Sequence, residues 1–167
     1  MASNLWEQMD RQIVAGVDSS TQATKVVVVD AETGSLLAGG RAAHVVSGIN
    51  GARQTDPRAW VDALREALAA TGLASRIRAI SIAGQQHGLV ALDAEGEPVH
   101  DAMLWNDTRS AVDADELVDE LAGPHEWARR VGLVPVASFT ITKWAWLRRT
   151  RPDLARAVTA VRLPTTS

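Results

Sequence analysis

Two short apolar runs, Ile13 to Val17 and Thr24 to Val29, flank a polar segment, Asp18 to Ala23. The second run is β-branched almost throughout, and such side chains suit a pleated backbone, so the pair reads as two buried strands joined by a turn. Asp30 to Gly34 is a further turn. Ser35 to Val46 reads as a third strand, with a bulge or bend expected at Gly39-Gly40, where glycine tolerates conformations that other residues resist. The chain therefore opens with three strands in meander order.

A helix follows, with Asp56 placed to cap, Pro57 at its first position, Trp60, Leu64, Ala67 and Leu68 at helical spacing, and Gly72 to stop it. Arg76 to Ala83 turns apolar like a strand entering the sheet, and Leu89 to Leu92 before Asp93-Ala-Glu-Gly96 reads as another strand and a tight turn. Helices are expected over Thr108 to Leu121, ended by Gly123-Pro124, then over Glu126 to Val131 and Ser138 to Arg149, the last closed by Arg151-Pro152. Ala157 to Leu163 is a last strand candidate. Mixed α and β elements with no internal repeat or Pro/Gly/Ser-rich linker point to one α/β domain over 12–167, preceded by a loose leader at 1–11.

Composition removes several classes of function. With 167 residues, 46% of them hydrophobic, the chain can bury a core. A net charge of -3 gives no cationic field to gather nucleic-acid phosphates or an acidic membrane. Zero cysteines exclude disulfides and thiolate metal sites, and the cytoplasm is the expected location. The first ten residues carry acids and lack a signal peptide's basic and apolar regions, and no segment has the length to span a bilayer.

Three segments carry chemistry. Gly16-Val-Asp-Ser-Ser-Thr-Gln-Ala-Thr-Lys25 can aim N–H groups and hydroxyls at phosphate oxygens, with charge from Lys25 and a Mg²⁺ contact, direct or through water, from Asp18. An ordinary hairpin turn would use the same small polar residues. Ala83-Gly-Gln-Gln-His-Gly88 brackets two amides and an imidazole with glycines, a donor and acceptor set suited to a polyhydroxylated ligand, or else a structural histidine after a strand. In Met103-Leu-Trp-Asn-Asp-Thr-Arg109 the Trp105 indole suits a sugar's C–H face, and Asn106 and Asp107 can take its hydroxyls, while Asp107 or Thr108 can equally cap a helix.

In order and spacing, the Asp18 loop, the Gly84-Gln85-Gln86-His87-Gly88 segment and the Leu104-Trp105-Asn106-Asp107 segment resemble the N-terminal domain of the FGGY carbohydrate kinases. Ser138-Phe-Thr-Ile-Thr-Lys143, with Trp146-Leu147 and Arg151-Pro152-Asp153, is similar to the family's next landmark, and the resemblance runs from about residue 12 to about 164. It implies an actin-like or ribonuclease-H-like fold, a mixed sheet flanked by helices. By the same resemblance Asp18 is the phosphate-loop aspartate, Thr21 and Lys25 lie on the phosphate side, and Gln86 with His87 contacts the sugar; Ser20 and Gln22 of the same loop are further phosphate-binding candidates. Gln-His favours a ketopentose over glycerol, for which the family's pair reads Arg-Glu.

The implied activity is ATP- and Mg²⁺-dependent phosphorylation of D-xylulose to xylulose 5-phosphate, with ribulose and other ketoses as relatives' substrates. An aspartate would take the proton of the attacking hydroxyl. Two departures stand out. Ser20 occupies a position where many relatives have glycine, and the family's general base and nucleotide-binding C-terminal lobe lie beyond Ser167. An incomplete lobe without turnover of its own is therefore expected. Two other readings compete with it: a non-catalytic sugar- or phosphate-binding module and a structural domain of the actin-like class.

Overall fold

The computed structural model describes residues 12–164, which form two compact units. Among the described residues, the first comprises 12–44 together with Arg58–Gly84, and the second Val45–Pro57 together with 85–164. No linker composition marks the division. Expectations about residues 1–11 and 165–167 lie outside the described residues.

The first unit is built on strands β1 (Ile13–Ser19), β2 (Ala23–Asp30), β3 (Leu36–Ala43) and β5 (Ile77–Gly84), in the order β3-β2-β1-β5. The β1, β2 and β3 meander is antiparallel, and β5 joins β1 in parallel, so the sheet is mixed. Side chains alternate across a strand, so Ile13, Ala15 and Val17 of β1 and Val26 and Val28 of β2 enter one core. Helix α1 (Pro57–Ala70) closes it with Ala63 and Ala67. Gly72, at φ +66°, lies just past the helix end.

The expected bulge at Gly39-Gly40 falls elsewhere. Gly39 and Gly40 pair regularly with Val27 and Val26, and the register shifts instead between Val28 and Val29, where the opposing residues are Ala38 and Leu36. Gly40 answers a packing requirement. A Cβ there would stand 1.9 Å from the Ala67 carbonyl oxygen of α1, so glycine lets helix and sheet backbones meet.

The second unit contains β4 (Gln54–Thr55) paired with β7 (Ala102–Met103), and β6 (Val90–Leu92) paired with β8 (Ala160–Arg162), all antiparallel. Around them lie α2 (Ala111–Glu120), α3 (Pro124–Val131), α4 (Thr140–Thr150) and the short α5 (Pro152–Ala155). Leu89, Ala91, Met103 and Leu147 form its apolar centre. Helix α2 starts three residues later than its pattern suggested. Asp107 directs its carboxylate to the Arg109 N–H in an Asx turn that delays the helix. Pro124 opens α3 rather than ending α2, as a proline at the first helical position does without loss of a hydrogen bond.

Candidate functional site

In the first unit, Asp18 faces Lys25 and Ser19 faces Thr24 across the antiparallel β1–β2 ladder. Asp18 follows the buried Val17 and so points away from the core, leaving its side chain 56% exposed. Lys25 Nζ lies 3.5 Å from Asp18 Oδ2, a solvated pair of little energetic weight that leaves both charges accessible. The Ser20 N–H and hydroxyl both donate to the Ala23 carbonyl, at 3.0 and 2.9 Å, closing the turn. The segment is thus a β-hairpin turn that also presents a carboxylate and an ammonium to solvent.

His44 supports this turn, and no local sequence signal marks it. Its N–H donates to the Gln22 carbonyl at 3.1 Å, and its buried ring stands edge-on to Trp60, 6.5 Å between centroids. Burial pushes the imidazole below the usual histidine range, with the nearby Ser20 carbonyl opposing the shift.

In the second unit, the two other segments are brought side by side. Leu89 and Met103 exchange backbone hydrogen bonds of 2.9 and 3.1 Å in an antiparallel bridge. Residues before Leu89 and residues after Met103 therefore leave from the same end of that bridge, which sets the Gln86-His87 and Trp105-Asn106 segments next to each other. Gln86 and His87 are exposed, and Trp105 is 48% exposed. Asn106 Oδ1 is buried without a hydrogen-bond partner.

His87 sits at φ +62°, a left-handed conformation uncommon for a side-chain-bearing residue. Its ring stacks on Phe139, with centroids 4.6 Å apart and planes 28° from parallel. Thr140 donates its hydroxyl to the Gly88 carbonyl at 3.1 Å. A Cβ on Gly88 would come within 2.6 Å of Pro164 Cγ and 3.2 Å of the Met103 carbonyl, so this glycine is set by close packing.

Asp107, expected to take sugar hydroxyls, has another task. It is fully buried, and its carboxylate accepts from the Arg53 N–H at 2.9 Å, the Arg109 N–H at 3.0 Å and the Arg109 guanidinium at 2.7 Å. A carboxylate so enclosed is already satisfied by the chain's own donors. Arg109 reaches on to Gln54 Oε1 at 2.8 Å and lies 4.4 Å over the Trp146 ring. Asp107 thereby locks the loop carrying Trp105 and Asn106.

The chemistry on offer is modest in charge and rich in hydrogen bonding. Among the described residues no group of three or more carboxylates and imidazoles converges. No helix among them is long and apolar enough to cross a membrane.

The model of the N-terminal domain of the FGGY carbohydrate kinases matches residues 13–166. The chain belongs to the FGGY family of carbohydrate kinases. It is 60% identical over 153 residues to a protein named xylulose kinase from Streptomyces coelicolor, with 91% of this chain and 32% of that protein covered. A Streptomyces rubiginosus protein of the same name is 56% identical over 153 residues, again with 91% and 32% covered. The crystal structure of xylulose kinase from Bifidobacterium adolescentis superposes with a TM-score of 0.85 at 41% identity, over 93% of this chain and 33% of that one. The chain thus spans about a third of the length of these relatives. The α/β fold, a mixed sheet with helices of the actin-like kind, is the one the family resemblance implied.

Proposed function

We propose that this chain is the sugar-side portion of a kinase that transfers the γ-phosphoryl group of ATP to D-xylulose, forming xylulose 5-phosphate. The supporting observation is the exposed pair Gln86 and His87 set beside the half-exposed Trp105 by the Leu89–Met103 bridge. An indole face for C–H groups, with amides and an imidazole for hydroxyls, suits a polyol. Xylulose is the sugar in the names of the related proteins.

Gln86, His87, Trp105 and Asn106 are read as sugar contacts, and Asp107 as the support beneath them. The residues of the β1–β2 turn suit a magnesium-bound nucleotide phosphate, because the side chains of Asp18 and Lys25 are both exposed to solvent. Asp18 would hold Mg²⁺, directly or through water, while Thr21, Gln22 and Lys25 would meet phosphate oxygens and Ser20 shapes the turn. Bound Mg-ATP supplies the phosphoryl group and neutralises charge as it moves. We assign the nucleotide-binding lobe and the general base to the additional length of the relatives, and the working location to the cytoplasm.

Joining the chain to the C-terminal two-thirds of the Streptomyces coelicolor relative tests this reading. The joined protein is expected to release ADP in the presence of D-xylulose, and its Asp18→Asn variant to lose that activity. A folded joined protein that prefers glycerol, or turns over no ketose, would contradict it.

A further inference from the structure

The Ser138–Lys143 segment takes no part in the proposed sugar contacts, yet it holds a fully enclosed charge. Lys143 is fully buried. Its Nζ donates to the Ala137 carbonyl at 2.7 Å, and the same carbonyl accepts from Ser110 Oγ at 3.0 Å. Two side-chain donors on one carbonyl, one of them from α4, fix the turn before that helix.

That turn ends at Phe139, whose N–H donates to the Val136 carbonyl at 2.9 Å and whose own carbonyl accepts from Thr142 Oγ1 at 2.8 Å. The Phe139 backbone is therefore fixed at both its N–H and its carbonyl. It carries the ring on which His87 stacks, and the next residue, Thr140, ties down the Gly88 carbonyl. The strained left-handed backbone of His87 is held from both sides by one turn, and that turn hangs on Ala137.

We infer that Lys143 is a positioning residue that anchors Phe139 as a platform for His87 and so sets the orientation of the imidazole offered to the sugar. A buried ammonium carries a desolvation cost. That cost makes little sense for packing alone, because a methionine would fill the same space. The inference rests on the reading of His87 as a sugar contact for its functional meaning, and on the stacking geometry alone for its mechanical part.

Histidine-ring NMR separates the two. Phe139 is the only phenylalanine among 167 residues, and His87 is one of four histidines, so their contacts can be assigned without ambiguity. The wild-type chain should show the His87 ring protons displaced upfield by the Phe139 ring, with cross-relaxation between the two. Lys143→Met should lose most of that displacement while far-UV circular dichroism stays unchanged, and Phe139→Leu should abolish it. Should Lys143→Met not fold, Ser110→Ala, which removes another donor to Ala137 without touching a charge, must move the same signals in the same direction. Unchanged His87 signals in the folded variants would overturn the inference. If D-xylulose fails to perturb His87 in the wild type while the variants move its signals, the sugar reading fails and the positioning role stands.

Discussion

Arg109 grips the carboxylate two residues behind it, with Nη2 2.7 Å from Asp107 Oδ2 and Nε 3.1 and 3.0 Å from the two oxygens. The Arg53 N–H, more than fifty residues earlier in the chain, completes the cage. Asp107→Ala would leave a mostly buried guanidinium and two backbone N–H groups without their acceptor, a loss of about 3–5 kcal/mol for a buried pair broken on one side. Urea unfolding should register it as a lower midpoint. A midpoint within experimental error of wild type would show that the loop does not depend on Asp107.

Gly40 gives a second, purely steric prediction. Since a Cβ there would sit 1.9 Å from the Ala67 carbonyl oxygen and 2.9 Å from the Ala67 carbonyl carbon, Gly40→Ala must push α1 off the sheet. The cost expected of such overpacking is about 1–3 kcal/mol or more. Gly39→Ala is the control. Its Cβ would meet only the Val26 carbonyl oxygen, at an ordinary 3.6 Å, so denaturation should separate the neighbouring glycines clearly.

His87 can be truncated in two ways that differ only in backbone freedom. Both His87→Ala and His87→Gly remove the imidazole, but at φ +62° alanine carries a left-handed penalty of about 1–2 kcal/mol that glycine escapes. The glycine variant should therefore melt at the higher temperature. Equal stability would mean that the backbone relaxes out of the left-handed region once the ring is gone.

Burial pulls the Lys143 pKa down to about 8, with the Asp107 charge opposing the shift. Between about pH 8 and the ordinary lysine value of 10.5 the unfolded chain then binds the proton that the folded chain has released, so this group adds stability as the pH rises through that window. Below about pH 8 its contribution is flat. Subtracting the stability profile of Lys143→Met from that of the wild type should leave a difference that climbs in favour of wild type across the alkaline window. A flat difference would mean that Lys143 titrates in the fold as it does in the unfolded chain.

Much of the first unit was legible because its signals are local. The β-branched run of β2, the Pro57 start and Gly72 stop of α1, and the turn at Asp30 each show within a few residues of sequence, and the structure has them there. The role of Gly40 was not legible, because the Ala67 carbonyl that demands it is supplied by a helix 27 positions away. Strands β4 and β7, two residues each, are too short to show any periodicity and exist only because Gln54 and Met103 meet. In the candidate site the residue types pointed to hydrogen-bonding chemistry, and the family resemblance to a kinase. Burial decided the rest: Asp107 and Trp105 look equally available in the sequence, yet one is enclosed by Arg53 and Arg109 and the other stands 48% exposed. The platform of Phe139 under His87 spans 52 positions and has no signature that reading along the chain could reveal.

The most direct measurement is calorimetric titration of D-xylulose into the chain and into its His87→Ala variant, with and without Mg-ATP. The account predicts saturable binding to the wild type that the variant loses, while a Trp105→Ala variant weakens it. Binding that persists unchanged in both variants would place the sugar elsewhere and contradict the account.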